Sequence, residues 1–217
     1  MELELSETFP ALEAVPGIHH AFTLRVPGVD VKVDRELALQ RLDEAHAACR
    51  RSLCLHGKTF VTGRQVHGRD LAVVDAATQG TLPDVDGLIT ASPGVCLGVY
   101  VADCGPVYLV DPVRRAIGLV HSGRKGSELG IAAAAVERMR DEFGSNPADM
   151  IVQLGPCIRP PHYEIDFASQ IVEQCRAAGV KEVHDCGVCT ACHPDRYYSY
   201  RLEMGKTGRM LALLALD

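Results

Sequence analysis

Three segments of the chain end a strand-like run in a residue able to bind a ligand and then break at glycine or proline. The first is Gly63-Arg64-Gln65-Val66-His67-Gly68, in which an imidazole is delivered to a strand end and a glycine allows close backbone approach. The second is Val101-Ala102-Asp103-Cys104-Gly105-Pro106, which places a thiol where the chain must turn. The third is Val120-His121-Ser122-Gly123-Arg124-Lys125-Gly126, where glycines and cations precede a helix and favour an anion. Taken singly, His67 also reads as a surface turn histidine and Cys104 as a buried cysteine beside a turn aspartate.

The turn-forming Asp111-Pro112-Val113-Arg114 joins the second and third segments. If strand 107–110 pairs with strand 116–120, Cys104 and His121 fall near the same sheet end. An adjacent strand would then bring His67 to them. Two histidines and one cysteine with a position left open are the donor set of a catalytic zinc.

A fourth segment, Cys186-Gly187-Val188-Cys189-Thr190-Ala191-Cys192-His193, is compact enough for a second, closed metal site. A redox pair and unbonded loop thiols are equally open readings. His162-Tyr163-Glu164 followed by Cys189 and Cys192 imitates the zinc nucleobase deaminase pattern. Val188 stands where that pattern needs proline, and Pro160-Pro161 precedes the histidine.

The elements that must position these residues are partly readable. Asp34 suits the N-cap of a helix over 35–51, with Ala38, Leu42, Ala45 and Cys49 on one face. Ser127 is expected to cap a second helix running to Phe143, ended by Gly144. A third helix follows Asp166, carries Phe167, Ile171, Cys175 and Ala178 on one face, and stops at Gly179. Segments 59–66, 71–75, 95–101, 107–110, 116–121 and 151–154 read as strands. Strands and helices in runs, without strict alternation, indicate an α+β fold. No Pro/Ser-rich linker interrupts 1–217, which reads as one domain.

Composition narrows the function classes. A net charge of −6 and the absence of a Lys/Arg-rich run leave no footprint for nucleic acid. No stretch approaches the ~20 apolar residues of a membrane span. Met1-Glu2-Leu3-Glu4 lacks the features of a signal peptide, so a reducing cytoplasm is expected. Nine cysteines, an odd number, cannot all pair, and there is no tryptophan.

Together these segments resemble the laccase-domain family, also described as multicopper polyphenol oxidase, purine nucleoside phosphorylase or YfiH-type. The matching pieces are Phe22-Thr23-Leu24-Arg25, Gln65-Val66-His67-Gly68, Asp86-Gly87-Leu88-Ile89-Thr90, Ala102-Asp103-Cys104-Gly105-Pro106, His121-Ser122-Gly123 and Gly155-Pro156-Cys157-Ile158. Tyr163-Glu164-Ile165, Ser199-Tyr200-Arg201 and Thr207-Gly208-Arg209-Met210 continue the match to the C-terminal blocks.

The resemblance implies zinc on His67, Cys104 and His121, and a four-layer α/β/β/α arrangement. It implies phosphorolysis of adenosine, inosine, guanosine or methylthioadenosine, with adenosine deamination at the same site. The small-molecule partners would be nucleoside and phosphate. Arg25, Arg64, Lys125 and Arg209 would be the anion holders, Asp103 an orienter of a ligand histidine, and Glu164 a weaker base. Older family names imply copper-dependent phenol oxidation, and some members are linked to peptidoglycan editing. A laccase, however, needs a His₂Cys copper and a histidine-rich trinuclear cluster, and the chain has no H-x-H pair. A metal-free cysteine hydrolase would use Cys104 as nucleophile and His121 as base. A binding protein without turnover is the remaining class.

Two departures from the family stand out. Arg124 replaces the tryptophan of H-x-G-W-R/K-G, and the region between Tyr163-Glu164-Ile165 and an expected last helix is contracted.

Overall fold

Runs of apolar residues too short for long helices dominate the chain, and they fold as strands buried on both faces. The computed structural model describes residues 5–217. Its strands are β1 (Ser6–Glu7), β2 (Ile18–Thr23), β3 (Thr59–Gly63), β4 (Leu71–Val73), β5 (Gly80–Leu82), β6 (Gly87–Thr90), β7 (Val95–Val101), β8 (Gly105–Asp111), β9 (Ala116–Ser122), β10 (Ile151–Leu154), β11 (Glu182–Asp185) and β12 (Met210–Leu216). The helices are α1 (Pro10–Glu13), α2 (Arg35–Ser52), α3 (Arg124–Glu128), α4 (Ile131–Phe143) and α5 (Phe167–Ala177).

Two mixed six-stranded sheets result, in the orders β1-β2-β12-β7-β3-β5 and β11-β10-β8-β9-β6-β4. They pack face to face through β7, β9 and β12. Helices α4 and α5 cover the outer face of the second sheet. Strand alternation divides the core. Met210, Ala212, Leu214 and Leu216 of β12 point between the sheets, with Leu97 and Val99 of β7 and Ile117 and Leu119 of β9. Leu211, Leu213 and Ala215 turn the other way, onto Cys49 of α2 and Cys96. The α+β expectation and the four-layer arrangement are both met.

The hairpin expectation also holds. Strand β8 pairs antiparallel with β9, and the Asp111 carboxylate accepts the Val113 and Arg114 amides across the turn. Asp34 caps α2 by accepting the Leu37 amide. Ser127 is not a cap. It lies inside the short helix α3, and its hydroxyl donates to the Gly123 carbonyl. The chain breaks at Gly130, whose φ of +73° starts α4 afresh. Contrary to the expected last helix, no α-helix follows α5 among the described residues; residues 210–216 form strand β12, because β2 and β7 offer backbone partners on both its edges. The signal-peptide reading of residues 1–4 lies outside the described residues. No described helix is long and apolar enough to cross a membrane.

Two histidines are locked inside this core as neutral rings. His20 Nε2 accepts the Phe9 amide at 2.7 Å and stacks on Phe9. His46, on the buried face of α2, lies with its Nε2 3.2 Å from the Arg209 carbonyl. Burial lowers both to about 4. Between that value and the ordinary histidine value near 6.5, the unfolded chain binds protons that the native protein refuses. Stability therefore falls as pH drops through this window, by about 1.4 kcal/mol per pH unit for each histidine. Urea denaturation of the metal-free protein between pH 7 and pH 4.5 should show this slope. A His20→Phe variant should lose about half of it. An unchanged slope in that variant would refute the assignment.

Candidate metal centre

The pairing of β8 with β9 sets Pro106 opposite His121 and Gly105 opposite Ser122. Cys104 precedes β8 directly, after Asp103 has turned the chain with a φ of +81°. His67 follows β3 in a left-handed conformation, φ +60°. One donor atom each from His67, Cys104 and His121 lies within 4.8 Å of the others. Among the described residues this is the single such group of three or more His, Cys, Asp or Glu.

One buried carboxylate holds the group together. Asp86 accepts the backbone amides of Val66, His67 and Gly68 at 3.1, 2.9 and 2.7 Å. Its Oδ1 also accepts Nδ1–H of His121 at 2.8 Å. The Asp86 carbonyl takes the His121 amide at 2.7 Å. Burial alone would raise the Asp86 pKa, but these donors hold it down at about 2. Because Nδ1 is engaged, His121 is left with Nε2 as its ligand atom.

Cys104 and His121 support each other's charge. Burial opposes ionisation of Cys104, yet the adjacent His121 and His67 rings lower its pKa well below the usual thiol range. Burial likewise opposes the imidazolium of His121, and Cys104 with Asp86 raises it. The thiolate is the form that ligates a metal. One thiolate and two imidazoles, one of them backed by a carboxylate, fit a borderline-soft ion with an open coordination position.

Gly123 makes room for the sulfur. A Cβ at this position would stand 2.5 Å from Cys104 Sγ and 3.8 Å from the His67 ring. Gly123→Ala should therefore fold but turn the thiol aside, lowering metal affinity by about 10-fold or more, as loss of ligand geometry does. Asp86→Asn should weaken metal binding by about 10- to 100-fold. It should also destabilise the fold by about 3 kcal/mol, since it leaves buried amides facing an amide nitrogen or a neutral acceptor. Competition with a chromophoric chelator, alongside urea denaturation, measures both effects. Wild-type affinity in either variant would contradict this geometry.

The three donors open onto a cavity of about 620 Å³. Aromatic rings of Tyr100, Tyr163, Phe167 and Tyr200 line it, as do the cations Arg35, Arg124, Lys125, Arg201 and Arg209. Arg124 and Arg201 pair with Glu128 and Glu164. Arg209 donates to the Thr207 and Gly208 carbonyls. Burial, then repulsion from Arg35, disfavours its charged form. The acidic residue of the wall is Asp103.

The structure distributes the remaining sequence-derived residues unevenly. Lys125 and Arg209 reach the cavity, whereas Arg25 and Arg64 do not line it. Arg25 bonds Glu203 and the Tyr197 carbonyl and lies over the Tyr198 ring. Arg64 pairs with Asp84 on the surface. Asp103 touches neither ligand histidine. Its carboxylate accepts Thr190, Ser199 and the Arg201 amide, and so anchors the C-terminal segment. Asp86 performs the orienting that sequence assigned to Asp103. Cys186, Cys189, Cys192 and His193 do not converge into a second metal-sized group among the described residues. Asp86, Arg35 and the four rings went unnoticed as site residues. The one signal for Asp86 was its place in the matching segment Asp86-Gly87-Leu88-Ile89-Thr90, which did not reveal its role.

Two packed mixed sheets with a His/Cys/His group at the strand ends define a laccase-like domain. The chain belongs to the family described as multi-copper polyphenol oxidoreductase laccase, whose model matches residues 19–171 and 162–217. It is 33% identical to "Purine nucleoside phosphorylase ORF3" of Streptomyces griseus, over 92% of this chain and 94% of that protein. Among solved structures it is similar to YlmD of Geobacillus stearothermophilus, with a TM-score of 0.81, 26% identity and coverage of 96% and 94%. Hypothetical protein YfiH of Bacillus licheniformis aligns with a TM-score of 0.83, 25% identity and coverage of 94% and 95%.

Proposed function

We propose that the protein is a zinc-dependent purine nucleoside phosphorylase acting on adenosine, inosine, guanosine or methylthioadenosine. The observation that carries this reading is the three-donor group opening onto a cavity of aromatic rings and uncompensated cations. Among the described residues Lys125 makes no ion pair, Arg35 hydrogen-bonds the Gln65 side-chain oxygen, and Arg209 donates to two carbonyls and lies over the Tyr200 ring. Their charge suits a phosphate dianion. Flat rings suit a purine. The name carried by the Streptomyces griseus relative points the same way.

His67, Cys104 and His121 would hold the ion, with Asp86 fixing the His121 tautomer. When bound, zinc supplies a Lewis acid at an open position. The chain's own residues do the rest. Lys125, Arg35 and Arg209 bind phosphate and keep its nucleophilic oxygen oriented. The rings of Tyr163, Phe167 and Tyr200 hold the base and exclude water. A phosphate oxygen then forms the bond to ribose C1′ as the C1′–N9 bond breaks, and the electron pair leaves with the purine, which takes a proton from water.

The same His₂Cys donors would accept copper. A laccase also needs a histidine-rich cluster, and no further group of three donors exists among the described residues. Zinc is therefore the ion proposed. Incubation of the zinc-loaded protein with adenosine should release adenine and ribose 1-phosphate only when phosphate is present. Lys125→Met should raise the phosphate KM by about 10- to 100-fold, the worth of one charge-assisted contact. Inosine formed without phosphate would instead mark deamination at this site. Neither product, with His67→Ala behaving as wild type, overturns the nucleoside reading.

A further inference from the structure

The cysteine-rich segment remote from the metal donors has no part in the chemistry above. Cys189 and Cys192 flank a single 3₁₀ turn, Thr190–Cys192, in which the Cys192 amide donates to the Cys189 carbonyl at 3.1 Å. An i to i+3 turn brings two Cα atoms into the range a disulfide requires, roughly 4.4–6.8 Å. The neighbouring Cys189 thiol raises the Cys192 pKa. Cys192 is exposed while Cys189 is buried behind it. The turn is also held from within: the Thr190 hydroxyl donates to Asp103 at 2.7 Å, and the Thr190 amide donates to the Cys157 carbonyl. The two sulfurs are thus presented on a fixed frame.

We propose that Cys189 and Cys192 form a reversible thiol–disulfide site that exchanges with low-molecular-weight disulfides. The Cys192 thiolate attacks one sulfur of the small disulfide, forming a mixed disulfide and releasing one small thiol after proton uptake. The Cys189 thiolate then attacks the Cys192 sulfur, closing the intramolecular bond and releasing the second thiol. Two protein thiols are oxidised and one small disulfide is reduced to two thiols. A raised Cys192 pKa leaves little thiolate at neutral pH, so the exchange is slow and the pair serves as a redox-responsive bond rather than as a fast oxidoreductase.

Cys186, Cys189 and Cys192 share one tryptic peptide, residues 182–196, whereas the exposed Cys54 lies in residues 52–58 and Cys157 in another. Zinc-loaded protein is equilibrated with excess oxidised glutathione, alkylated, digested and weighed. The expected product is peptide 182–196 lighter by two hydrogens and alkylated once, at Cys186, while Cys54 stops at the mixed disulfide. Dithiothreitol should restore three alkylated cysteines. In Cys192→Ser the loss of two hydrogens should vanish, and in Cys186→Ser it should persist. Three alkylated cysteines in that peptide beside a glutathionylated Cys54 would overturn the proposal. So would a stable mixed disulfide on Cys192, or a bond from Cys189 to Cys157 or Cys186.

Discussion

The buried carboxylate of Asp86 is the constraint on which the site depends. It draws four N–H donors to one point: three successive amides around His67 and the ring of His121. Bonds to a charged acceptor contribute about 1.5–3 kcal/mol each. That is enough to offset the roughly 1–3 kcal/mol cost of holding a non-glycine residue such as His67 in the left-handed region. The same anion balances an imidazolium at His121 before a metal arrives and fixes its tautomer afterwards. Strand β6 starts at Gly87, and the Asp86 carbonyl accepts the His121 amide beside the pairing of β6 with β9. Loop conformation and ligand orientation are therefore set by one carboxylate, at the point where β6 begins its pairing with β9.

Much of this arrangement could be read from the sequence because it is local. His67 and Cys104 stand directly before a glycine and His121 two residues before one, and the Asp111 turn fixes the offset between two of them. The role of Asp86 was not readable. An aspartate before a glycine looks like any turn residue, and its partners lie 18 to 35 positions away. The cations posed the same difficulty. Arg25 and Arg64 look no different in sequence from Arg35, yet Glu203 and Asp84 claim the first two.

Strand β12 failed for a different reason. Its run Met210-Leu211-Ala212-Leu213-Leu214-Ala215-Leu216 is buried on both faces, so it shows no polar alternation. A helix interior and a central strand then present the same apolar pattern. The choice is made by β2 and β7, which offer backbone partners on both edges. Ser127 shows the converse. It has the chemistry of a cap, but Gly130, with its positive φ, places the true helix start after it.

The charge pattern of the cavity argues for an anionic ligand independently of any relative. The chain carries a net charge of −6, yet its cavity gathers five cations, of which only Arg124 and Arg201 have glutamate partners, around a carboxylate already committed to three donors. Arg35 and Arg209 repel each other there, and no carboxylate bonds either of them. Like charges held together in a partly desolvated site cost stability unless a counter-charge enters with the ligand. A metal on His67, Cys104 and His121 adds to the positive field, because a single thiolate offsets only part of a divalent charge. On the function proposed above, a phosphate group brings the negative charge that Lys125, Arg35 and Arg209 lack, where a neutral phenol does not.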